Sequence, residues 1–321
     1  MTSITKNRIS NVEITNMIQK AFVTQTAVSI TELTEGFFNV AYLIELANGN
    51  EVILKIAPPK EAIIMSHEKN IMLSEIQAMR LVAEQTDVPV ASVLFYDNSH
   101  DVCEVDYFFM DKLPGRTYNS LMNELNDTSK QNIDVQIGHI NSQINKISGN
   151  KFGYFGQLDK QGAVWFEVFR GILEDAIQDA NRLGIDLHLE AQYLIEQLDR
   201  DKPHFDEVTE PCLVHWDLWA GNIFIEQERV AGIIDFERCL WADKLMEVGF
   251  RTFANKDHFL KGYGIRELSD SQNKRAEWYD MYLFLISALE CDYRKYEDRG
   301  VYNWAIDMIK ESFKSLSQDF N

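Results

Sequence analysis

The 321-residue sequence carries 50 acidic and 31 basic side chains, so its formal net charge is -19, and its apolar fraction is 45%. This length suffices for one large or two modest domains with a sizeable core. The charge argues against a protein that binds nucleic acid, because affinity for the phosphate backbone rests on a basic surface. An acidic surface would instead attract a cationic small molecule.

The cysteines and the N-terminal segment bear on the cellular compartment. The N-terminus lacks the apolar core of a signal peptide, and no apolar run is long enough to cross a bilayer. The four cysteines lack the spacing of a zinc site or of a disulfide framework; they are Cys103, Cys212, Cys239 and Cys291. We therefore expect a cytoplasmic protein that does not bind a membrane.

The first third of the chain predicts one short helix followed by a small sheet. Apolar residues between 14 and 22 recur at helical spacing. From residue 30 the pattern changes to strands, which we predict over 32–37, 40–46 and 51–57. Asn48-Gly49 joins the second and third strands, and this dipeptide is a strong hairpin signal. Lys55 lies inside the third strand among apolar neighbours, which is unusual for a lysine that only faces solvent.

A longer helix is predicted over 67–84, with two further strands over 93–96 and 105–110. Pro114-Gly115 then breaks the pattern, so we place a hinge at 110–115, between a lobe of residues 1–112 and a lobe of residues 113–321. The second lobe reads as mainly helical. Its isoleucines repeat at helical spacing over 133–147, with Gly149 as the expected terminator. Further helices are predicted over 165–183, 188–198, 277–296 and 302–316.

The stretch 213–237 is the most informative part of the sequence. Two short apolar strands flank a polar loop that contains His215, Asp217 and Asn222, and Asp235 ends the second strand. Transfer of a phosphoryl group needs a carboxylate that orients and deprotonates a hydroxyl, together with hard oxygen ligands for Mg²⁺. Asp217 would be the base, and Asn222 and Asp235 the metal ligands. The competing interpretation is a polar loop between buried strands, with Asp235 as a helix cap.

These motifs resemble the aminoglycoside phosphotransferase family, whose relatives include choline kinases, fructosamine kinases and protein kinases. The resemblance rests on His215-x-Asp217 with Asn222 five residues later, and on Asp235-Phe236 after the second strand. It covers roughly residues 30–250. It implies an α+β, two-lobed protein-kinase-like fold. A small antiparallel sheet with one main helix would form the N-terminal lobe, and the larger C-terminal lobe would be mostly helical.

The resemblance also implies positions for ATP (or GTP) and Mg²⁺. The nucleotide would lie under the loop 34–39. The residues implied in nucleotide binding are Gly36, Asn39, Lys55 on the phosphates, Glu75 as the partner of Lys55, and the backbone at Met110 and Lys112. Glu68 is the competing partner for Lys55.

On the catalytic side, the resemblance implies that Asp217, His215 and Arg238 are the catalytic residues, with Asp217 as the base and Arg238 near the transferring phosphate. An acid near Glu247 would support the loop backbone. Two positions depart from the family pattern. Trp216 stands where the family usually has glycine, and Ala220 stands where aminoglycoside kinases often have an acidic residue.

The leading hypothesis is therefore an ATP-dependent kinase that phosphorylates a hydroxyl of an aminoglycoside-like compound or of another small metabolite. Two alternatives stay open: a fructosamine-type kinase of sugar amines, and a nucleotide-binding regulator without catalysis. A protein kinase is disfavoured because only about a dozen residues separate Asp235 from the next predicted helical stretch, which leaves no room for a long activation segment. The acceptor and the oligomeric state are not determined by the sequence. Carboxylates that would suit a cationic acceptor are Asp159, Glu167, Glu290 and Asp292.

Overall fold

A computed structural model describes residues 7–34 and 38–318 of the chain, with side chains up to residue 314. Gly36, which we predict to lie in the nucleotide loop, falls outside the described residues. Within the described ranges, the molecule has a small N-terminal lobe built on one antiparallel sheet and a larger, mostly helical C-terminal lobe. This confirms the predicted α+β, two-lobed fold. The boundary at residue 112 and the hinge at 110–115 stay predictions.

The N-terminal lobe contains a five-stranded sheet in the order β1-β2-β3-β5-β4. Its elements are α1 (Asn11–Ala21), β1 (Ala27–Leu33), β2 (Val40–Leu46), β3 (Glu51–Ile56), α2 (Ile71–Gln85), β4 (Val93–Asp97) and β5 (Tyr107–Asp111). One face of the sheet packs on α1, whose buried side chains are those of Ile14, Met17 and Ile18. Residues of α2 line the opposite core, next to residues of the C-terminal lobe.

The first strand lies earlier than the predicted 32–37. It begins at Ala27 and ends at Leu33, because its register with β2 runs from Ala27 opposite Leu46 to Leu33 opposite Ala41, the second residue of β2. The β-branched residues of this segment already favour a strand. The prediction did not include residues 27–31, because the apolar residues of this segment do not form a continuous face.

The helix α2 also begins later than predicted. Residues 66–68 form a single 3₁₀ turn, and Asn70 then takes a left-handed conformation with φ 56°, so the regular helix begins at Ile71. Both ends of α2 are tied to the C-terminal lobe. Before the helix, the Asn70 side chain donates to the Gly156 carbonyl at 3.0 Å. After it, the Pro89 carbonyl accepts from the Ile233 amide at 3.0 Å.

The C-terminal lobe surrounds two small sheets. Its helices are α3 (Tyr118–Leu121), α4 (Asp127–Ile144), α5 (Trp165–Leu183), α6 (Ala191–Asp201), α7 (Asp257–Tyr263), α8 (Asp270–Tyr293) and α9 (Gly300–Gln318). Its strands are β6 (Arg116–Thr117), β7 (Gly153–Tyr154), β8 (Cys212–Val214), β9 (Ile223–Glu226), β10 (Arg229–Ile233) and β11 (Leu240–Ala242). The sheets have the orders β10-β9-β6 and β7-β11-β8.

Several helix ends differ from the predictions. The helix α4 stops at Ile144 rather than near Gly149, because the Asn145 side chain turns into the lobe and donates to the Leu213 carbonyl at 2.7 Å. Gly149 instead lets the backbone pass close to Trp241, because a Cβ atom at residue 149 would lie 2.5 Å from that ring. The helix α8 begins before residue 277 because Ser269 and Gln272 form a capping box.

The bounds of α6 are also shifted toward the C-terminus from the predicted 188–198. His188 has a φ of 53°, and the chain cannot continue a regular helix through a residue in that region. Of the helices that the structure describes, none is long and apolar enough to cross a membrane. The four cysteines are all free thiols.

Candidate active site

The polar loop predicted to be catalytic lies between β8 and β9, and the hairpin of β9 and β10 closes it. Gln227 and Glu228 form the hairpin turn with φ of 50° and 60°, as a primed two-residue turn requires. The register places Ile223 opposite Ile233. Asn222, which immediately precedes β9, therefore accepts through its carbonyl from the Ile234 amide at 3.0 Å. The start of β9 and the end of β10 thus meet at one place.

Glu247 fixes the backbone of this loop. Its carboxylate accepts from the amides of His215 at 2.9 Å and Trp216 at 3.3 Å, and from the Asn145 side chain at 2.9 Å. Glu247 is fully buried. These contacts give it the structural role expected for an acid at that position.

His215 is fully buried, and both of its ring nitrogens bond inside the loop. Nε2 lies 3.0 Å from the Ile234 carbonyl, and Nδ1 accepts from the Asp217 amide at 3.3 Å. Burial lowers the pKa of the imidazole, which favours the neutral ring that these two contacts need. In this geometry His215 positions Asp217 and the segment before Asp235, so we treat it as a positioning residue.

The backbone of Trp216 has a left-handed conformation, which glycine adopts more easily than other residues. Its φ is 65°. This left-handed region costs a non-glycine residue about 1–2 kcal/mol. Packing offsets the cost, because the indole stacks on Tyr282 with ring centroids 5.2 Å apart and meets the edge of His67 at 5.8 Å. The loop is therefore held at this residue by the packing of the Trp216 side chain.

Asp217 and Asn222 are neighbours, as the motif predicts. The Asn222 amide nitrogen donates to the Asp217 carbonyl at 2.8 Å and lies 3.4 Å from its carboxylate. This leaves the Asn222 side-chain oxygen as the atom that could bind a metal. Burial raises the pKa of Asp217, and Arg238 and Arg251 oppose that rise. A raised pKa suits a general base near neutral pH.

Lys55 is buried and lies between two carboxylates. Its Nζ is 2.7 Å from Glu75 on α2, and it also contacts Asp235. Glu68, the competing partner, instead binds Arg294 at 2.7 Å. Burial alone would lower the pKa of Lys55, but Asp235 and Glu75 outweigh burial and raise it. The lysine therefore stays charged in the folded protein.

A third carboxylate joins this group, and sequence reasoning assigned it no role. Oxygen atoms of Glu75, Asp235 and Glu237 lie within 4.8 Å of one another. Glu237 also accepts from the Asn39 side chain at 2.7 Å, which brings Asn39, the last residue of the predicted nucleotide loop, to the same site. Carboxylate oxygens with one amide oxygen are a donor set that fits Mg²⁺. The signal available in the sequence was an acid two residues after Asp235.

Of the remaining predicted residues, Arg238 lies beside the catalytic loop, and Met110 and Lys112 lie at the end of β5. Arg238 binds Glu290 at 2.5 Å, and its guanidinium lies 5.5 Å from the Trp216 ring centroid. Met110 is buried in β5 opposite Ile53. The Lys112 side chain pairs with Glu51 at 2.5 Å. Neither observation tests the expected hydrogen bonds between adenine and the backbone of Met110 and Lys112, which stay a prediction.

The fold and the arrangement of lysine, carboxylates and asparagine are those of a kinase-type phosphotransferase. The family described as "Phosphotransferase enzyme family" matches residues 29–277 of this sequence. The chain belongs to this family, so the predicted resemblance and the enzyme class, a phosphotransferase, are confirmed.

Solved structures agree on the fold. A thermostable mutant of aminoglycoside phosphotransferase APH(4)-Ia, in a ternary complex with AMP-PNP and hygromycin B, superimposes with a TM-score of 0.67. It is 14% identical, and the match covers 95% of this chain and 99% of that one. A putative fructosamine-3-kinase from Thermobifida fusca gives a TM-score of 0.66 at 15% identity, covering 94% of this chain and 98% of that one.

Among curated proteins, the chain is similar to a probable acyl-CoA dehydrogenase, IBR3, from Arabidopsis thaliana. The two are 21% identical over 269 residues, which is 78% of this chain and 31% of that protein. The chain thus spans less than a third of this relative.

Proposed function

We propose that the protein transfers the γ-phosphoryl group of ATP (or GTP) to a hydroxyl of a small molecule, with Asp217 as the catalytic base. One observation carries this proposal. Lys55, held between Glu75 and Asp235, lies at the same site as the loop in which Asp217 and Asn222 are neighbours. A structure with a complexed ATP analogue among the similar proteins supports nucleotide binding.

The residues would divide the reaction as follows. Lys55 would bind phosphate oxygens of the nucleotide. Asp217 would orient the acceptor hydroxyl and take its proton while the new O–P bond forms and the bond to the β-phosphate oxygen breaks. Arg238 would face the negative charge on the transferred group. Mg²⁺, held by Asp235 and Asn222 with Glu237 nearby, would neutralise phosphate charge.

A nucleotide-binding regulator without catalysis is the second candidate. It would have no need of a half-buried carboxylate with a raised pKa in the predicted catalytic loop, next to two arginines. The presence of that carboxylate favours catalysis. An aminoglycoside-like acceptor and a sugar amine both stay candidates, because the similar structures include a hygromycin B complex and a putative fructosamine-3-kinase.

The test is the substitution Asp217→Asn, assayed as ADP release from MgATP with a mixture of amino sugars, sugar amines and hydroxy acids. A positioned base typically contributes about 10²- to 10⁴-fold, so turnover should fall at least about a hundredfold. Nucleotide affinity should barely change. The matched control is Asp101→Asn, because the Asp101 side chain is 75% exposed and far along the chain from the loop. Near-normal turnover in the Asp217 variant would contradict the proposal, as would a lost fold.

A further inference from the structure

Arg294, just after α8, is buried with two nitrogen atoms unused. It is 1% exposed. Its Nη2 binds Glu68 at 2.7 Å and lies 3.5 Å from Glu290. Its Nε and Nη1 have no hydrogen-bond partner among residues 7–34 and 38–318. Arginine has five N–H donors and no acceptor, and buried donors of a charged group are costly when unsatisfied. Such a group needs a partner, which can be a water, an ion or a ligand.

Another buried side chain, His67, also has two nitrogen atoms without partners, but it does not indicate a ligand in the same way. The imidazole borders a cavity of about 10 Å³ that Tyr154 and Asp179 also line. That volume is roughly the room that one water molecule takes. One water molecule in this cavity could therefore hydrogen-bond to His67, so the unpartnered nitrogens of His67 do not require a ligand.

Arg294 lies beside the catalytic cleft. The same carboxylate oxygen of Glu290 is 2.5 Å from Arg238 and 3.5 Å from Arg294. Two arginines thus share one acid, next to the loop that carries Asp217. The Arg294 guanidinium also lies 4.8 Å from the ring centroid of Phe38, which belongs to the predicted nucleotide loop. Ring stacking covers a face of the guanidinium but accepts none of its in-plane N–H bonds.

Three of the four acids that would attract a cationic acceptor are already paired with basic side chains. Glu167 pairs with Lys202 at 2.8 Å, and Asp292 pairs with Arg299 at 2.8 Å. Glu290 is engaged by the two arginines. The fourth candidate, Asp159, is exposed on the surface. With these acids paired, the donors next to them that have no partner in the described part of the chain are Nε and Nη1 of Arg294, and these suit an acceptor group of negative charge.

We propose that Arg294, together with Arg238, forms a subsite that binds a carboxylate or phosphate group of the hydroxyl acceptor. The proposal rests on the proposed kinase function and deepens it, since it names the acceptor as an anionic hydroxy compound. The oxyanion would accept hydrogen bonds from the unused Arg294 donors, and charge-assisted bonds of this kind are the strong ones. Its hydroxyl would then lie toward Asp217.

The experiment is calorimetric titration of the protein loaded with MgADP. The probes are D-glycerate, which carries a carboxylate, glycerol 3-phosphate, which carries a phosphate, and uncharged glycerol and cationic hygromycin B. We expect one or both anions to bind and glycerol not to bind. The stronger anion identifies the group as carboxylate or phosphate. Binding of hygromycin B alone would overturn the subsite.

Three variants test the residue. Arg294→Gln should weaken anion binding at least about tenfold, as the loss of a hydrogen bond to a charged group implies. Glu68→Gln retains Arg294 and removes a competing acid, so anion binding should be equal or tighter. The matched control is Arg299→Gln, a nearby arginine that is paired with Asp292. It should leave anion binding unchanged.

A purely structural role of Arg294 predicts a different pattern. The ion pair would then be the only function, so Glu68→Gln and Arg294→Gln would both lower the melting temperature, and neither would change anion affinity selectively. That result overturns the subsite even if one variant folds poorly. Wild-type protein that fails to bind MgADP would overturn the kinase function and the subsite together. MgADP binding without anion binding would overturn the subsite alone.

Discussion

The two sides of the cleft use opposite charge arrangements. On the nucleotide side, one buried lysine is held by acids, namely Glu75 and Asp235. On the acceptor side, Arg238 and Arg294 share Glu290. The lysine comes from a strand and its partners from short motifs. The arginines depend on α8 and on the residues before α2, which lie far apart in the sequence. The fold assembles both proposed sides, because Lys55 and Asp235 lie 180 residues apart and Arg294 and Glu68 lie 226 residues apart. They differ in that the residues of the proposed nucleotide side stand in recognisable sequence motifs, whereas Arg294 does not.

The largest effect should come from the nucleotide side, with Asp235→Ala. The variant removes a carboxylate from the group that fits Mg²⁺, so turnover should fall by about 10²- to 10³-fold, the scale of losing one preorganised electrostatic contact. Turnover is measured against Mg²⁺ concentration. An unchanged metal dependence would contradict the ligand role. Melting temperature serves as the control, because a lost fold would mimic the loss of activity.

A smaller effect separates the two glutamates that competed for Lys55. Lys55→Ala should weaken MgADP binding at least about tenfold, because a charged hydrogen-bond donor to the phosphates is lost. Glu75→Gln should partly mimic it, since Glu75 holds the lysine at 2.7 Å. Glu68→Gln is the matched comparison on the acceptor side and should leave MgADP affinity unchanged. If Glu68→Gln reproduces the Lys55 defect, the division between the two sides is wrong.

The smallest effect concerns Trp216, which stands between the two sides. Both Trp216→Ala and Trp216→Gly lose the stacking on Tyr282, so both should be destabilised. Glycine normally stabilises less than alanine, but here φ is 65° and alanine keeps the backbone strain. We expect the glycine variant to be the more stable by about 1 kcal/mol. Chemical denaturation of the pair measures this, and a more stable alanine variant would show that the left-handed backbone carries no cost.

Much of the fold could be predicted because its signals are local. The stripe of α5 predicted a helix over 165–183, and those are the residues the structure shows. The ends that failed depend on distant partners. Asn145 leaves α4 to bind Leu213 and Glu247, which lie 68 and 102 residues away. The spacing of residues within α4 does not predict that contact.

The same distinction applies to the site. The neighbouring positions of Asp217 and Asn222 follow from the five-residue motif. The sequence left Glu75 and Glu68 as competing partners of Lys55, and the structure pairs the lysine with Glu75. Glu237 was visible in the motif but had no assigned role. Arg294 carried no signal in the sequence, because its contact with Glu68 spans 226 residues. Residues that recognise an acceptor through such distant contacts become apparent only in the folded chain.

The anchoring of α2 has a consequence for control of the enzyme. Protein kinases are switched off when their central helix swings away and takes its glutamate from the lysine. Here hydrogen bonds tie the chain to the other lobe on both sides of that helix, through Asn70 and Gly156 at one end and Pro89 and Ile233 at the other. These contacts hold α2 in the position that pairs Glu75 with Lys55 in this structure. We expect a proposed kinase with this arrangement to keep its lysine–glutamate pair when nucleotide and acceptor are absent.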